Sequence, residues 1–180
     1  EIDYYLFPSL EKKFQNETLD ILNIPKEKRL SSKIVRHLFS DQIIATSHPY
    51  ALQNKPLYDS LKMPAWIFKY LREIFFEKVN INLNNKILPK KIYINRKDSL
   101  VPRYIINEKE VSNCLNEKGF SSFTLSDLSF VEQVQLFYNA DYVVGLHGAG
   151  FANIIFCKPN TKILELKPIS AGDVIKNLAI

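Results

Sequence analysis

Two hydrophobic rhythms alternate along the second half of the chain. Short apolar runs read as strands at Lys91–Asn95 (KIYIN), Phe120–Leu125, 141–146 and 161–167. Helical spacing lies between them. A polar loop carrying Arg96, Asp98, Pro102 and Arg103 leads into a helix that begins near Asn107, where Glu110 completes a capping box and Gly119 supplies the stop. Ser129 and Glu132 form a second capping box, ahead of a helix with Phe130, Val134 and Phe137 on one face. A third helical segment opens directly from the turn His147-Gly148-Ala149-Gly150. The order β-α-β-α-β-α-β at this spacing predicts a parallel sheet with right-handed crossovers, a Rossmann-like α/β lobe.

The first half is less regular. Asp3–Phe7 reads as a strand, Leu10–Leu22 as a helix after Ser9, and Gln42–Thr46 as a strand ending at Ser47-His48-Pro49. Residues 52–62, with Pro56, read as a loop. Pro64 opens a helix whose Ile67, Tyr70, Leu71, Ile74 and Phe75 form an apolar stripe for packing on a neighbouring lobe. Asn80–Leu88 is polar enough to be a linker, which divides the chain into a lobe at 1–88 and a second at 89–180.

Composition narrows the class. With 180 residues, 46% hydrophobic and 24% charged, the chain fits a globular protein with a substantial core. No apolar run approaches the ~20 residues that span a bilayer, and nothing at the N-terminus resembles a signal peptide. The first residue is Glu1, and Asp173–Ile180 reads as a helix without a C-cap, so truncation at both ends is expected. The net charge of +5 comes from lysine scattered through an Asn/Lys/Ile-rich background. Its densest stretch, Lys86–Arg96, is mostly a strand with its lead-in, and no nucleic-acid partner is expected. Cys114 and Cys157 lack metal-ligand spacing, which suits a reduced compartment.

Candidate chemistry gathers where open parallel sheets bind ligands, at the C-terminal edges of the strands. Arg96 and Arg103 follow the first strand of the second lobe. His147 and the turn Gly148, Ala149 and Gly150 follow the third, where backbone N–H groups at a helix start favour an anion. Guanidinium forks bind phosphate oxygens bidentately, and glycines let the backbone approach a ligand closely. Glu165, inside the fourth strand, is either a carboxylate for ribose hydroxyls or a solvent-exposed residue. His37 lies among apolar residues and reads as structural, whereas His48, between a strand and a proline, is a loop candidate for chemistry.

Several readings are disfavoured. No GxGxxG follows the first strand, no GxxxxGK[ST] is present, and neither GxSxG nor HExxH occurs. The absence of an Asp-x-Asp pair favours metal-independent diphosphate binding. No cofactor is expected beyond a nucleotide-linked substrate.

The ordered series KIYINR (91–96), Arg103, NEKEV (107–111), Gly119-Phe120, LSFVEQVQLFYNAD (128–141), GLHGAGFANIIF (145–156) and KILELKP (162–168) resembles glycosyltransferase family 61. The likeness is close from roughly 90 to 170 and looser before, through the SHP strand end and the PAWIFKYLREIF helix. It implies an inverting, metal-independent enzyme of the GT-B architecture, with two Rossmann-like lobes facing a cleft. Residues 89–180 would form most of the nucleotide-sugar-binding lobe, and 1–88 part of the acceptor lobe. Arg96 and the His147–Gly150 turn fall on positions for the diphosphate, Asn153 and Glu165 on positions near the nucleotide, and Gln133 on a helical Glu-Gln pair. Phe151 departs from the pattern, where a smaller aliphatic residue is usual. The implied reaction moves a sugar from a UDP-sugar to a glycan hydroxyl. The general base would come from across the cleft: His48, with Asp41 or Asp59 behind it. Partners would be the donor and a glycan or polysaccharide acceptor, with peripheral membrane association. The expected location is cytoplasmic, at the inner face of a bacterial membrane, or a secretory lumen in a eukaryote. The alternatives are a non-catalytic nucleotide- or glycan-binding module and another Rossmann-like enzyme, such as a methyltransferase or epimerase.

Overall fold

A computed structural model of the chain describes residues 1–45, 64–81, 87–98, 104–172 and 174–178. The elements are β1 (Tyr5–Phe7), α1 (Lys13–Ile21), β2 (Arg29–Ser31), α2 (Ala65–Lys78), β3 (Lys91–Ile94), α3 (Glu108–Glu117), β4 (Ser121–Phe123), α4 (Phe130–Asn139), β5 (Tyr142–Leu146), a 3-10 segment (Ala149–Phe156), β6 (Lys162–Leu166) and α5 (Val174–Leu178). The expected α/β class is what forms: parallel strands with helices on both sides.

The four-stranded sheet runs β4-β3-β5-β6, parallel throughout. From β3 the chain moves outward to β4, and from β5 it moves outward the other way to β6. The strand order therefore reverses between β3 and β5, and the crevice outside their C-terminal ends is the place where such sheets bind ligands. Side-chain alternation sends Ile92 and Ile94 to one face and Tyr93 to the other. The Ile face carries the main core, with Val134, Phe137 and Val143 fully buried.

Of the two expected capping boxes, the one at Ser129 forms, whereas Asn107 caps α3 without a side-chain bond to the helix backbone. The Ser129 hydroxyl accepts from Glu132 N while the Glu132 carboxylate accepts from Ser129 N, a reciprocal box. Asn107 is the N-cap of α3, its amide donating to Glu110 at 3.1 Å, and Gly119 follows the helix at φ 81°. The third helical segment is 3-10 rather than α, and it buries Phe151, Ile154 and Phe156.

α2 packs on this sheet through Phe75, which meets Phe130 edge-on at 5.0 Å and Phe156 at 6.0 Å. Such pairs contribute about 0.5–1.5 kcal/mol beyond their burial. Of the expected stripe, Leu71, Ile74 and Phe75 pack on the core. Phe68 and Phe75 are the buried residues, and Tyr70 is exposed. Arg72, on the same helix, donates to the carbonyls of Ile155 and Cys157, anchoring the end of the 3-10 segment.

The first 45 residues differ most from expectation. β1 pairs in parallel with β2, Tyr5 opposite Arg29, and β2 lies in a stretch too polar and short to read as a strand. Arg29 is held by Asp20 at 2.6 Å and by the Ile24 carbonyl, which docks β2 on α1. Of the strand expected at Gln42–Thr46, residues 42–45 form none: Ile43 and Ile44 are 77% and 76% exposed, and among the described residues no ladder partner lies alongside. A strand cannot persist without a neighbour to satisfy its N–H and C=O groups. His37, expected to be structural, is exposed for the same reason, because the apolar residues around it, Ile34, Leu38 and Phe39, are themselves exposed. The loop expected at 52–62 lies outside the described residues.

Candidate functional site

β3 and β5 deliver the two decisive side chains. Their register pairs Ile94 with Gly145, so Arg96 and His147 each emerge two residues later, side by side at the reversal point. Arg96 Nη1 donates to the His147 carbonyl at 3.1 Å. The guanidinium can lie this close because Gly148 has no side chain: a Cβ built there would stand 1.4 Å from Nη1. Gly148 is extended at φ 160°, a conformation open to any residue, so its glycine identity answers to proximity rather than backbone freedom. Gly148→Ala is therefore expected to push Arg96 off the turn while the fold survives, because the clash falls on the flexible end of a side chain. A nucleotide titration should show weaker binding by about tenfold, the order of one charge-assisted hydrogen bond, with an unchanged melting temperature.

β6 contributes the third group. Gly145 pairs with Glu165, and both lie on the face that His147 reaches. His147 Nδ1 stands 2.6 Å from Glu165 Oε1, with side chains 21% and 12% exposed. The carboxylate fixes the ring's orientation through Nδ1. Of the two readings open for Glu165, exposure at a strand edge is excluded by this contact. Gly145 makes room for the neighbouring Phe151 ring, whose Cε2 would lie 2.4 Å from a Cβ there. Phe151 is 1% exposed, so the larger residue at this position is accommodated within the core beneath the turn.

The turn leaves backbone donors at its start. The first helical bond runs from Phe151 N to the Gly148 carbonyl at 3.0 Å, so the N–H groups of Ala149 and Gly150 precede the ladder. Asn153 is held from behind: its amide donates to Gln133 Oε1 at 2.9 Å, and the buried Gln133 donates to the Leu125 carbonyl at 2.9 Å. Gln133 is thus a structural tie between the 3-10 segment and the loop after β4.

Two features escaped sequence reasoning. Asn95, buried at the end of β3, donates to Ser122 Oγ at 3.0 Å and accepts from Thr124 Oγ1 at 2.9 Å, clamping the loop that carries Arg96 to β4. Tyr93 donates its hydroxyl to Glu108 Oε1 at 2.5 Å, and burial together with that carboxylate pushes its pKa well above the ordinary tyrosine range. The neutral phenol is thus kept as a donor, and its contribution to stability would be lost only as pH rises past that range. Asn95 sits beside Arg96 in the KIYINR run and could have been suspected there. Tyr93 reads only as a strand residue.

Asp41 lies on an exposed bend after β2 and takes no part in the hydrogen bonds among Arg96, His147 and Glu165. His48, Asp59 and Arg103 lie outside the described residues. A larger cavity, about 650 Å³, opens between α2 and the loop before β6, lined by Trp66, Arg72, Ile155 and Pro159. It sits at the opposite end of β6 from Glu165, and Lys69, Arg72 and Lys158 also line it. Cys157, which lines it, is buried, which pushes its thiol up to about 12.

A family model, Glycosyltransferase 61, matches residues 8–164. The chain belongs to glycosyltransferase family 61. Among curated proteins it is similar to the EGF domain-specific O-linked N-acetylglucosamine transferase of Bos taurus, 29% identical over 69 residues, which covers 36% of this chain and 13% of that protein. It is also similar to a Beta-1,2-xylosyltransferase of Arabidopsis thaliana, 30% identical over 96 residues, or 42% of this chain and 18% of that protein. The chain thus spans under a fifth of the length of either relative. Among its described residues no helix is long and apolar enough to cross a membrane.

Proposed function

We propose that this family 61 chain carries the donor half of an inverting, metal-independent glycosyltransferase that moves a sugar from a UDP-linked donor to a glycan hydroxyl. The observation that carries the reading is the meeting of Arg96 and His147 at the reversal point of the sheet. A departing diphosphate develops negative charge. Arg96, the His147 ring backed by Glu165, and the first N–H groups of the 149–156 turn are preorganised donors around one spot.

In this reading residues 89–180 make most of the donor lobe and 1–88 part of the acceptor side. The base that takes the acceptor proton comes from across the cleft, with His48 first and Asp41 or Asp59 behind it. The relatives' names cover N-acetylglucosamine and xylose transfer, so the donor test starts with those two sugars. Incubating the protein with UDP-N-acetylglucosamine or UDP-xylose in EDTA, with a panel of oligosaccharide acceptors, should give product whose new linkage is inverted by NMR. Transfer that appears only when a divalent cation is restored would overturn the metal-free mechanism. A product with retained configuration would overturn the single displacement.

A further inference from the structure

Glu165 is the carboxylate expected near ribose, yet it is engaged by His147 at 2.6 Å within the anion cluster. A second carboxylate stands at the same edge of the sheet, on the other side of Arg96. Glu108 opens α3, and a cavity of about 100 Å³ lies between it, Tyr93, Lys97, Tyr104, Leu146 and Arg96. Arg96 therefore lines this cavity and also touches the His147-Gly148 turn. A group in the cavity would be a near neighbour of whatever Arg96 holds.

The chemistry of the cavity is selective. Glu108 Oε1 accepts from the Tyr93 hydroxyl at 2.5 Å, and Tyr93 is itself 1% exposed, so the carboxylate is fixed by a buried donor. An ionised carboxylate has about four acceptor sites and no donor, so one bond to Tyr93 leaves capacity for more. It rejects phosphate oxygens and ring carbonyls by charge and accepts paired hydroxyls. Lys97 and Arg96 on the rim favour a ligand whose next group is anionic.

We infer that this cavity is a subsite for a vicinal diol joined to a diphosphate, with Glu108 accepting from its hydroxyls and Tyr93 as the positioning residue that holds Glu108. The inference rests on the donor reading above. Two parts of a nucleotide-sugar carry such a diol: the ribose and the transferred sugar.

Calorimetric titration separates them. Wild type, Glu108→Gln and Tyr93→Phe are titrated with UDP, 2′,3′-dideoxy-UDP, UDP-N-acetylglucosamine and UDP-xylose, with melting temperatures measured alongside. If ribose occupies the cavity, wild type binds UDP at least about tenfold tighter than the dideoxy form, as a hydrogen bond to a charged group implies. That ratio falls toward one in Glu108→Gln and partway in Tyr93→Phe. If the transferred sugar occupies it, the UDP to dideoxy-UDP ratio is the same in all three proteins, and the variants lose any preference for a UDP-sugar over UDP. A carboxylate that served only to stabilise the start of α3 would lower the melting temperature and leave both ratios untouched. That result, with UDP still bound, overturns the subsite alone. Failure of wild type to bind any of the four ligands removes the donor reading, and the subsite with it.

Discussion

Replacing Arg96 with alanine is expected to lower kcat/KM for the donor by about 10²–10³-fold, the loss typical of removing one preorganised donor from a developing anion. Its effect should fall on kcat as well as KM, because the leaving diphosphate is more charged in the transition state than in the bound donor. Arg96→Lys should recover little. An ammonium has no planar fork, and the contact with the His147 carbonyl and Gly148 depends on a flat group lying against the turn. Steady-state kinetics of the two variants checks this, and a lysine variant near wild-type rate would show that charge alone suffices. Melting temperatures should barely move, since Arg96 contributes nothing to the apolar core.

The second large effect belongs to His147 and Glu165. His147→Ala is expected to cost about 10²–10⁴-fold in kcat, the usual range for losing a positioned imidazole. Glu165→Gln keeps the shape but removes the carboxylate that holds Nδ1, and should cost less, about tenfold to a hundredfold. The double variant should be no worse than His147→Ala alone, because Glu165 acts only through the ring it holds at 2.6 Å. A double-mutant cycle on kcat checks this. Independent, multiplying losses would mean that Glu165 touches the donor directly, as a ribose carboxylate would.

Much of the sheet was legible because its signals are local. The capping box at Ser129 and Glu132, the stop at Gly119 and the alternation along KIYIN each depend on a few adjacent residues. Arg96 and His147 could be brought together from sequence because parallel strands present their C-terminal ends at one edge. The His147–Glu165 pair could not, since it depends on the β5–β6 register that sets Gly145 opposite Glu165, and periodicity carries no register. Glu108 was hidden as an ordinary first-turn acid. The strand expected at Gln42–Thr46 has the composition of a strand but, among the described residues, no partner beside it, and β2 has a partner but not the composition. Pairing is a non-local property, and short segments reveal it least.

The turn formed by Arg96 and His147–Gly150 is expected to bind a nucleoside diphosphate without metal. Calorimetry of UDP with the wild-type protein in EDTA, repeated with Arg96→Ala, tests it most directly. Micromolar binding that weakens at least about tenfold in the variant is the expected result, in keeping with the loss of a bidentate charge-assisted contact. Equal binding by both proteins, or binding that appears only when magnesium or manganese replaces EDTA, would contradict it.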